Sequence, residues 1–283
     1  MTRGHLQDAA TGWVSSETSY DAYFGLGQVL RLLDRPGVFK LSPAGLALGD
    51  YLVRSTDRDV LAGRVLDIGT GSGAQALLLR GMGADDVVAT DVSAPAVETA
   101  AENELLNFPD RRVVFERTSL FGDRAASGRF DLVVFNPPGW RTPSRECRRD
   151  LDRAGLSALD LSAMFSGETV LLDFLRRLPD HLTPSGRAVV GLNSMTGIRE
   201  VFTRLAREQA GAALRFRLLE RHSFPLFFYT RDWQKARETL LTEFRRWREE
   251  HGAAFSVDSD GTLHWSYEIV EIRLRSDGEV AGG

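Results

Sequence analysis

Short apolar runs alternate with amphipathic stretches through the middle of the chain, and this rhythm predicts strands separated by helices. Helix-like spacing of apolar residues indicates helices over residues 74–82 and from Ser93 to about residue 107. The predicted strands around them are residues 64–68, 86–90, 112–116, 130–135 and 187–192. Because such alternation covers both faces of a sheet, it favours an α/β protein with a parallel sheet between helices.

The first sixty residues follow a helical pattern instead. Apolar residues recur at helix-like spacing over residues 21–34. Ser42 and Pro43 are a suitable N-cap and first-turn pair for a second helix that runs to about Val53. We therefore assign residues 1–60 to an N-terminal helical cap that borders the substrate, and residues 61–276 to one catalytic domain.

The carboxyl third departs from simple alternation. Residues 214–219 and 263–274 read as strands, and a charged helix over residues 232–251 is inserted before the last strand. Its apolar residues lie along one side, which favours packing on its own domain over a role as a dimerising or calmodulin-binding helix. Residues 277–283 read as a flexible tail.

The composition indicates the class of protein and its location but says little about its function. The 283 residues carry a net charge of −4, with 43% hydrophobic and 26% charged residues, as in ordinary globular proteins. The negative net charge disfavours a surface that binds nucleic acid, without excluding one. No signal peptide, bilayer span or membrane partner is expected, so a cytoplasmic location follows. Cys147 is the single cysteine, which excludes an intrachain disulfide and a thiolate-rich metal site, and no metal is predicted.

A glycine-rich turn follows the first predicted strand of the catalytic domain. Gly69, Gly71 and Gly73 are spaced more tightly than the glycines of dinucleotide-binding loops, which must admit a pyrophosphate. Asp67 at the edge of the loop suits a ligand with a cationic amino group. Asp91, about twenty residues further on, is placed to bind both hydroxyls of a ribose. The pattern therefore favours S-adenosylmethionine over NAD, with a helix-capping role for Asp91 as the alternative.

The segment Asn136-Pro137-Pro138-Gly139 follows the predicted strand 130–135. Proline has no N–H to donate and holds the chain extended, so the Asn136 side chain and the Pro137 carbonyl form a rigid pair of hydrogen-bond acceptors. Such a pair can hold an amino group from two sides. Parallel strands end at one edge, so this pair and the glycine loop would share one crevice. A simple tight loop is the alternative.

These motifs resemble those of class I S-adenosylmethionine-dependent methyltransferases, within the Asn-Pro-Pro-Tyr group that methylates planar nitrogens. The pattern is similar to the HemK/PrmC type, which methylates a glutamine side chain in peptide release factors. The similarity extends over residues 37–39, 67–73, 91, 136–138, 163–168 and 182–186. It implies a Rossmann-like fold with a seven-stranded, mostly parallel sheet, and S-adenosylmethionine as the methyl donor.

The resemblance also implies roles for individual residues. Asn136, Pro137 and Pro138 would be the catalytic residues, which hold the target nitrogen by hydrogen bonds. The implied donor-binding residues are Asp67, Gly69, Thr70, Gly71, Gly73, Asp91, Val92, Ser119, Leu120 and Asn136, and the substrate-binding residues are Phe39, Trp140 and Glu168. One position departs from the family, because Gly139 stands where an aromatic residue stacks on the flat target. Trp140 or Phe135 would then replace the missing aromatic face.

The leading hypothesis is an N-methyltransferase that acts by direct in-line transfer on an amide, amine or guanidine nitrogen of a protein side chain or small molecule. A methyltransferase for an exocyclic amine of RNA or DNA is the second hypothesis, because the same grip suits that group. An NAD-dependent oxidoreductase and a non-catalytic protein that binds S-adenosylmethionine remain as alternatives from other classes.

Overall fold

The computed structural model describes residues 18–122, 128–156, 158–226 and 231–275, without the side chains of residues 158–160. Its strands are β1 Thr18–Tyr23, β2 Val29–Asp34, β3 Arg64–Ile68, β4 Asp86–Asp91, β5 Val114–Arg117, β6 Phe130–Phe135, β7 Leu182–Asn193, β8 Leu214–Pro225, β9 Phe255–Val257 and β10 Leu263–Leu274. Its helices are α1 Pro43–Ser55, α2 Arg58–Leu61, α3 Ala74–Gly81, α4 Ala94–Asn107, α5 Arg145–Ala154, α6 Ala158–Met164, α7 Gly167–His181, the 3₁₀ turn Ser194–Thr196, α8 Ile198–Leu205, α9 Gln209–Ala213, α10 Arg231–Lys235 and α11 Arg237–His251.

One mixed sheet forms the centre of the molecule, in the order β5-β4-β3-β6-β7-β10-β8, with β9 paired to β10. The pairs from β5 to β7 are parallel, and β10 runs antiparallel to β7, β8 and β9. This confirms the predicted Rossmann-like α/β fold, and the short β9 brings the sheet to eight strands instead of seven. The chain order reverses between β3 and β6, which is where ligands bind in open sheets of this kind.

Apolar side chains fill both faces of the sheet, as the alternation of helices and strands predicts. Val65 of β3 packs beside Leu48 of α1 and Leu77 of α3. Its neighbour Leu66 points to the opposite face, where it packs with Phe174 of α7. Burial on both faces holds the strand ends in fixed positions at the edge of the sheet.

The prediction of a helix over residues 21–34 is wrong. This segment belongs to the antiparallel hairpin of β1 and β2, in which Tyr23 pairs with Val29 across a turn. Leu30 and Leu32 are buried while Val29 and Arg31 are exposed, which is the two-residue period of a strand. The second prediction for this region is confirmed, because the Ser42 hydroxyl accepts a hydrogen bond from the Gly45 N–H at the start of α1.

Side chains of α4 hold the hairpin against the domain. The Asn103 side chain accepts a hydrogen bond from the Leu33 N–H at 2.9 Å, and the Asn107 amide bonds both the N–H and the carbonyl of Arg31 at 2.8 Å. These partners lie more than sixty residues away in the chain. Contacts at that separation explain why local spacing failed to identify the hairpin.

The charged stretch before the last strand forms two helices, α10 and α11, instead of one continuous helix over residues 232–251. Leu240, Phe244 and Trp247 of α11 are buried against Trp140 and Phe165. The helix therefore packs on its own domain, behind the loop that follows Asn136. The predicted tail at residues 277–283 lies outside the described residues. Among the residues that the structure describes, no helix is long and apolar enough to cross a bilayer.

A buried ion pair joins the helices that follow β3 and β4. The Arg80 guanidinium of α3 bonds the Glu104 carboxylate of α4, and the two side chains are 6% and 1% exposed. Glu104 also accepts hydrogen bonds from the N–H groups of Arg112 and Val113. Arg80 contacts Asp110 as well.

Replacing Arg80 by Met should therefore lower the free energy of unfolding by about 3–5 kcal/mol, because a buried carboxylate loses its counter-charge. Urea denaturation measures the effect. Arg148→Met is the matched control, since Arg148 pairs with Asp152 at an exposed site and should contribute less than about 1 kcal/mol. Equal losses for the two variants would contradict the assignment.

Candidate functional site

Two adjoining cavities open at the carboxyl edge of the parallel strands. The first has a volume of about 310 Å³ and lies between the glycine loop, the ends of β4 and β6, and the start of α1. The second, of about 170 Å³, extends from the end of β6 towards β7 and β10. Phe39, Ser42, Asn136 and Ala163 line both cavities. A ligand in one cavity thus lies beside a ligand in the other.

The glycine loop forms one wall of the first cavity. Gly69, Gly71 and Gly73 all have left-handed backbone conformations, with φ values of 65°, 55° and 84°. A Cβ at Gly73 would approach the Ala100 Cβ to 2.9 Å, so Gly73 packs against α4 and does not line the cavity. A Cβ at Gly71 would meet no atom within 4 Å, which leaves its backbone open to a ligand.

Asp67 presents one carboxylate oxygen to this cavity. Its Oδ2 accepts hydrogen bonds from the Thr70 hydroxyl at 2.7 Å and the Ala76 N–H at 3.2 Å. No described residue donates to its Oδ1. Burial raises the pKa of Asp67 to about 7, and the nearby Asp91 carboxylate adds to the increase. A cationic amino group at Oδ1 would supply the missing partner, so the residues fit the amino acid end of S-adenosylmethionine.

Asp91 braces the loop from the end of β4. Its Oδ2 accepts a hydrogen bond from the Gly71 N–H, and its Oδ1 accepts one from the Ser93 N–H, both at 2.9 Å. The Ser93 hydroxyl caps α4 by accepting from the Ala96 N–H. Asp91 and the exposed Val92 still line the cavity, and each oxygen of Asp91 keeps a second lone pair. The carboxylate thus supports the turn while remaining at the ligand site.

Ser119 and Leu120 line the far side of the first cavity after β5. Leu120 has a left-handed conformation with a φ of 56°. Its carbonyl accepts a hydrogen bond from the Thr90 hydroxyl at 2.7 Å. The bond ties this loop to the adjacent strand β4 at the edge of the first cavity.

Asn136 lies at the junction of the two cavities, and a buried tyrosine holds its side chain. The Tyr267 hydroxyl of β10 donates a hydrogen bond of 2.9 Å to the Asn136 Oδ1. Tyr267 is 1% exposed, and burial raises its pKa far above the ordinary value, so the hydroxyl stays neutral. A Cβ at Gly191 of β7 would lie 1.8 Å from the Tyr267 Oη, so only glycine leaves room for this bond.

The two prolines that follow are held by the start of α7. Pro137 lines the second cavity and Pro138 lines the first. A Cβ at Gly167 would lie 2.1 Å from the Pro138 carbonyl oxygen, so the backbones of these two segments are in contact. The Trp140 N–H donates to the Met164 carbonyl, and the Gly167 N–H donates to the Trp140 carbonyl, each at 2.8 Å. These contacts make the strand end rigid.

Gly139 has a neighbour that explains the missing aromatic side chain. A Cβ at this position would lie 2.4 Å from the Asn193 Nδ2 and 2.9 Å from its Cγ. Asn193 ends β7 and, like Gly139, lines the second cavity. An amide thus fills the space that a side chain at residue 139 would need.

The three predicted substrate residues differ in their placement. Phe39 is exposed and lines both cavities. Trp140 lines the second cavity but is otherwise buried, packed edge-on against Phe165, Trp233 and Phe244. Glu168 lines neither cavity, because both of its carboxylate oxygens accept the Thr142 N–H at 3.0 and 3.2 Å. Phe135 lines the first cavity, on the donor side.

Comparison with known proteins gives matches to methyltransferases. A family model for ribosomal protein L11 methyltransferase (PrmA) matches residues 50–137. A putative protein N5-glutamine methyltransferase of Methanocaldococcus jannaschii is 29% identical over 176 residues, which are 62% of this chain and 82% of that protein. A release factor glutamine methyltransferase of Agrobacterium fabrum is 45% identical over 80 residues, or 28% of this chain and only 27% of that protein.

A solved structure supports the fold independently. It is the T. thermophilus 16S rRNA N2 G1207 methyltransferase (RsmC) in complex with AdoMet and guanosine. The TM-score is 0.53 at 22% identity, and the match covers 76% of this chain and 50% of that chain. The identity is low, so the likeness concerns the arrangement of strands and helices.

The raised pKa of Asp67 predicts a pH-dependent stability. Between about pH 4 and pH 7 the native carboxyl keeps a proton that the unfolded carboxyl, with a pKa near 3.9, has lost. Raising the pH through this range should therefore favour unfolding. Asp67→Asn stays neutral and keeps an oxygen for Thr70 and Ala76. Its stability relative to the wild type should rise by a few kcal/mol between pH 4 and pH 8 in urea titrations.

Parallel pH profiles for the two proteins would contradict this assignment. Asp86→Asn is a suitable control, because Asp86 is exposed and pairs with the partly buried Arg64 at the opposite edge of the sheet from the cavities. We expect the stability of this variant to differ little from that of the wild type at either pH.

Proposed function

We propose that this chain, a class I S-adenosylmethionine-dependent methyltransferase, transfers a methyl group to a planar nitrogen of a protein side chain or a small molecule. One observation supports the proposal above the others: the Asn136 side chain lies where the two cavities meet. The first cavity would hold the donor, and the second the acceptor. The oxidoreductase and non-catalytic alternatives are set aside.

S-adenosylmethionine is the methyl donor, and it supplies an electrophilic methyl group on a sulfonium. We assign its amino group to the Asp67 Oδ1 and the rest of its amino acid portion to the open space beside Gly71. Asp91 and Val92 are assigned to the ribose, and Ser119 and Leu120 to the adenine. The glycine conformations and the unpaired Asp67 oxygen support these assignments.

The second cavity has the chemistry to orient a poor nucleophile. An amide or aromatic amine shares its nitrogen lone pair with a π system, so the nitrogen has to be held in one orientation. Tyr267 occupies one lone pair of the Asn136 Oδ1, and the other remains for an N–H of the acceptor. The Pro137 carbonyl would accept the second N–H. Two fixed acceptors both aim the nitrogen and stabilise the positive charge that develops on it.

A protein side-chain amide is favoured among the possible acceptors. Both curated relatives named above are glutamine methyltransferases by name. The net charge of −4 disfavours nucleic acid, whose binding relies on many phosphate contacts. An exocyclic amine of RNA is the second candidate, and a steep loss of activity with salt would identify it.

The proposal is tested with Asn136→Ala and isotopically labelled donor, by single-turnover transfer into protein, RNA and small-molecule fractions of a cell extract. Transfer should fall about a hundredfold or more, because a preorganised polar contact acts mainly on the transition state. Donor affinity, measured by calorimetry, should stay nearly unchanged. Asn136→Asp should retain more activity than the alanine variant, because it keeps an acceptor oxygen.

The matched control is Asn107→Ala, which removes an amide that bonds the Arg31 backbone and lies outside both cavities. Its transfer rate should equal that of the wild type. If Asn136→Ala also transfers at the wild-type rate, the Asn-Pro-Pro segment is only a turn and the proposal fails.

A second substitution tests the tyrosine that holds Asn136. Tyr267→Phe removes the hydroxyl donor, and the amide is then free to rotate away from its working orientation. We expect kcat to fall roughly twofold to tenfold, the effect of one ordinary hydrogen bond, with donor affinity unchanged. Tyr51→Phe is the control, because this tyrosine is also buried but lies outside both cavities. Equal kcat values for the two variants would remove Tyr267 from the mechanism.

A further inference from the structure

We propose that the second cavity selects a primary carboxamide, and that the Asn193 Nδ2 donates a hydrogen bond to the carbonyl oxygen of that acceptor. This inference rests on the proposed function and names its substrate class. Asn193 is then a specificity-determining residue on the acceptor side. It contacts the carbonyl oxygen, whereas Asn136 contacts the nitrogen.

The orientation of the Asn193 amide is determined by one hydrogen bond. Its Oδ1 accepts the Met195 N–H at 2.9 Å and so caps the 3₁₀ turn after β7. The remaining amide atom is therefore the nitrogen, which is a donor. No described residue accepts a hydrogen bond from it. Asn193 is only 8% exposed and lines the second cavity. With no such partner, the Nδ2 atom remains accessible to solvent from the cavity, so it can donate to an acceptor atom on a ligand there.

Gly139 shows that this amide takes the place of a side chain. The 2.4 Å separation between a Cβ there and the Asn193 Nδ2 leaves no room for any side chain at that position in the present arrangement. An aromatic ring would contact a flat acceptor through its face, which is similar for all planar groups. An N–H group instead contacts the edge of the acceptor and distinguishes an oxygen from an N–H. This side of the second cavity therefore distinguishes between acceptor groups by hydrogen bonding.

The register of β7 and β10 places the two polar groups together. Tyr267 is the direct partner of Asn193 across these antiparallel strands. Tyr267 holds the Asn136 Oδ1, while the turn after Asn193 holds the Asn193 Oδ1. One strand pair therefore orients an acceptor oxygen and a donor nitrogen, and both residues line the same cavity.

A primary carboxamide matches this arrangement. Its two N–H groups meet the Asn136 Oδ1 and the Pro137 carbonyl, and its carbonyl oxygen meets the Asn193 Nδ2. In the transfer, the nitrogen lone pair forms the new N–C bond and the C–S bonding pair stays on sulfur, which becomes a neutral thioether. One N–H proton then leaves to solvent. A guanidinium offers only donors, so it would bring an N–H against the Asn193 Nδ2.

The test uses three probes: N-acetylglutamine methylamide, N-acetylarginine methylamide and adenosine. Each is titrated by NMR against protein saturated with S-adenosylhomocysteine, so that no transfer occurs and the second cavity is measured directly. The wild type should bind the glutamine probe at least tenfold more tightly than the arginine probe. Asn193→Ala should weaken binding of the glutamine probe about tenfold and leave S-adenosylhomocysteine affinity unchanged.

Asn193→Asp gives the sharper result. Aspartate keeps an oxygen for the Met195 N–H but replaces the donor with an acceptor of nearly the same shape. The preference should therefore reverse, so that the arginine probe binds more tightly than the glutamine probe. Asn107→Ala, outside both cavities, should behave as the wild type.

Three results would overturn the inference: no binding of the glutamine probe to the wild type, equal binding of the glutamine and arginine probes, or an unchanged order in Asn193→Asp. Binding of adenosine alone would favour a nucleobase instead. These outcomes are distinct from failure of the proposed function, which would appear as transfer that does not depend on Asn136. Transfer that depends on Asn136 but not on Asn193 would contradict this inference and leave the proposed function intact.

Discussion

The parallel alignment of β3, β4 and β6 is the constraint on which the site depends. These strands pair in register, and each ends in a polar residue or motif at the same edge of the sheet. Burial on both faces fixes the strands, so Asp67, Asp91 and Asn136 come together without any direct bond between them. The backbone ladder holds the site in place, and the loops add the detailed geometry.

The antiparallel part of the sheet contributes the second half of the site. β7 and β10 carry Gly191, Asn193 and Tyr267 to the side of β6 that faces away from the glycine loop. Gly191 makes the space that the Tyr267 hydroxyl occupies, and Gly139 makes the space for Asn193. Two glycines without a role in binding a phosphate or nucleotide thus determine which polar groups reach the second cavity.

The donor side of the site could be predicted from the sequence because its signals are local. Asp67 and Asp91 lie in the last two residues of β3 and β4, and the glycine loop and Asn136 come directly after β3 and β6. Their positions therefore follow once the strands are known. Tyr267 and Asn193 could not be predicted, because their meeting depends on the register of two strands separated by some seventy residues. Glu168 lies close to the site in sequence, but the first turn of α7 directs its carboxylate to the Thr142 backbone. The hairpin does not follow from the sequence, because its alternation, visible in Leu30 and Leu32, is short and relies on Asn103 and Asn107 for support.

The raised pKa of Asp67 has a consequence for the electrostatics of binding. Near neutral pH this buried carboxyl carries a proton on a substantial fraction of molecules. On the proposed binding mode, the ammonium group of the donor takes the position beside the Oδ1 and the proton leaves. In the molecules whose Asp67 is protonated, one monovalent cation replaces another, so the charge enclosed at this carboxyl group is the same before and after binding. In that fraction of the molecules the site exchanges a bound proton for the ammonium group, and the empty protein does not bury a bare negative charge at Asp67.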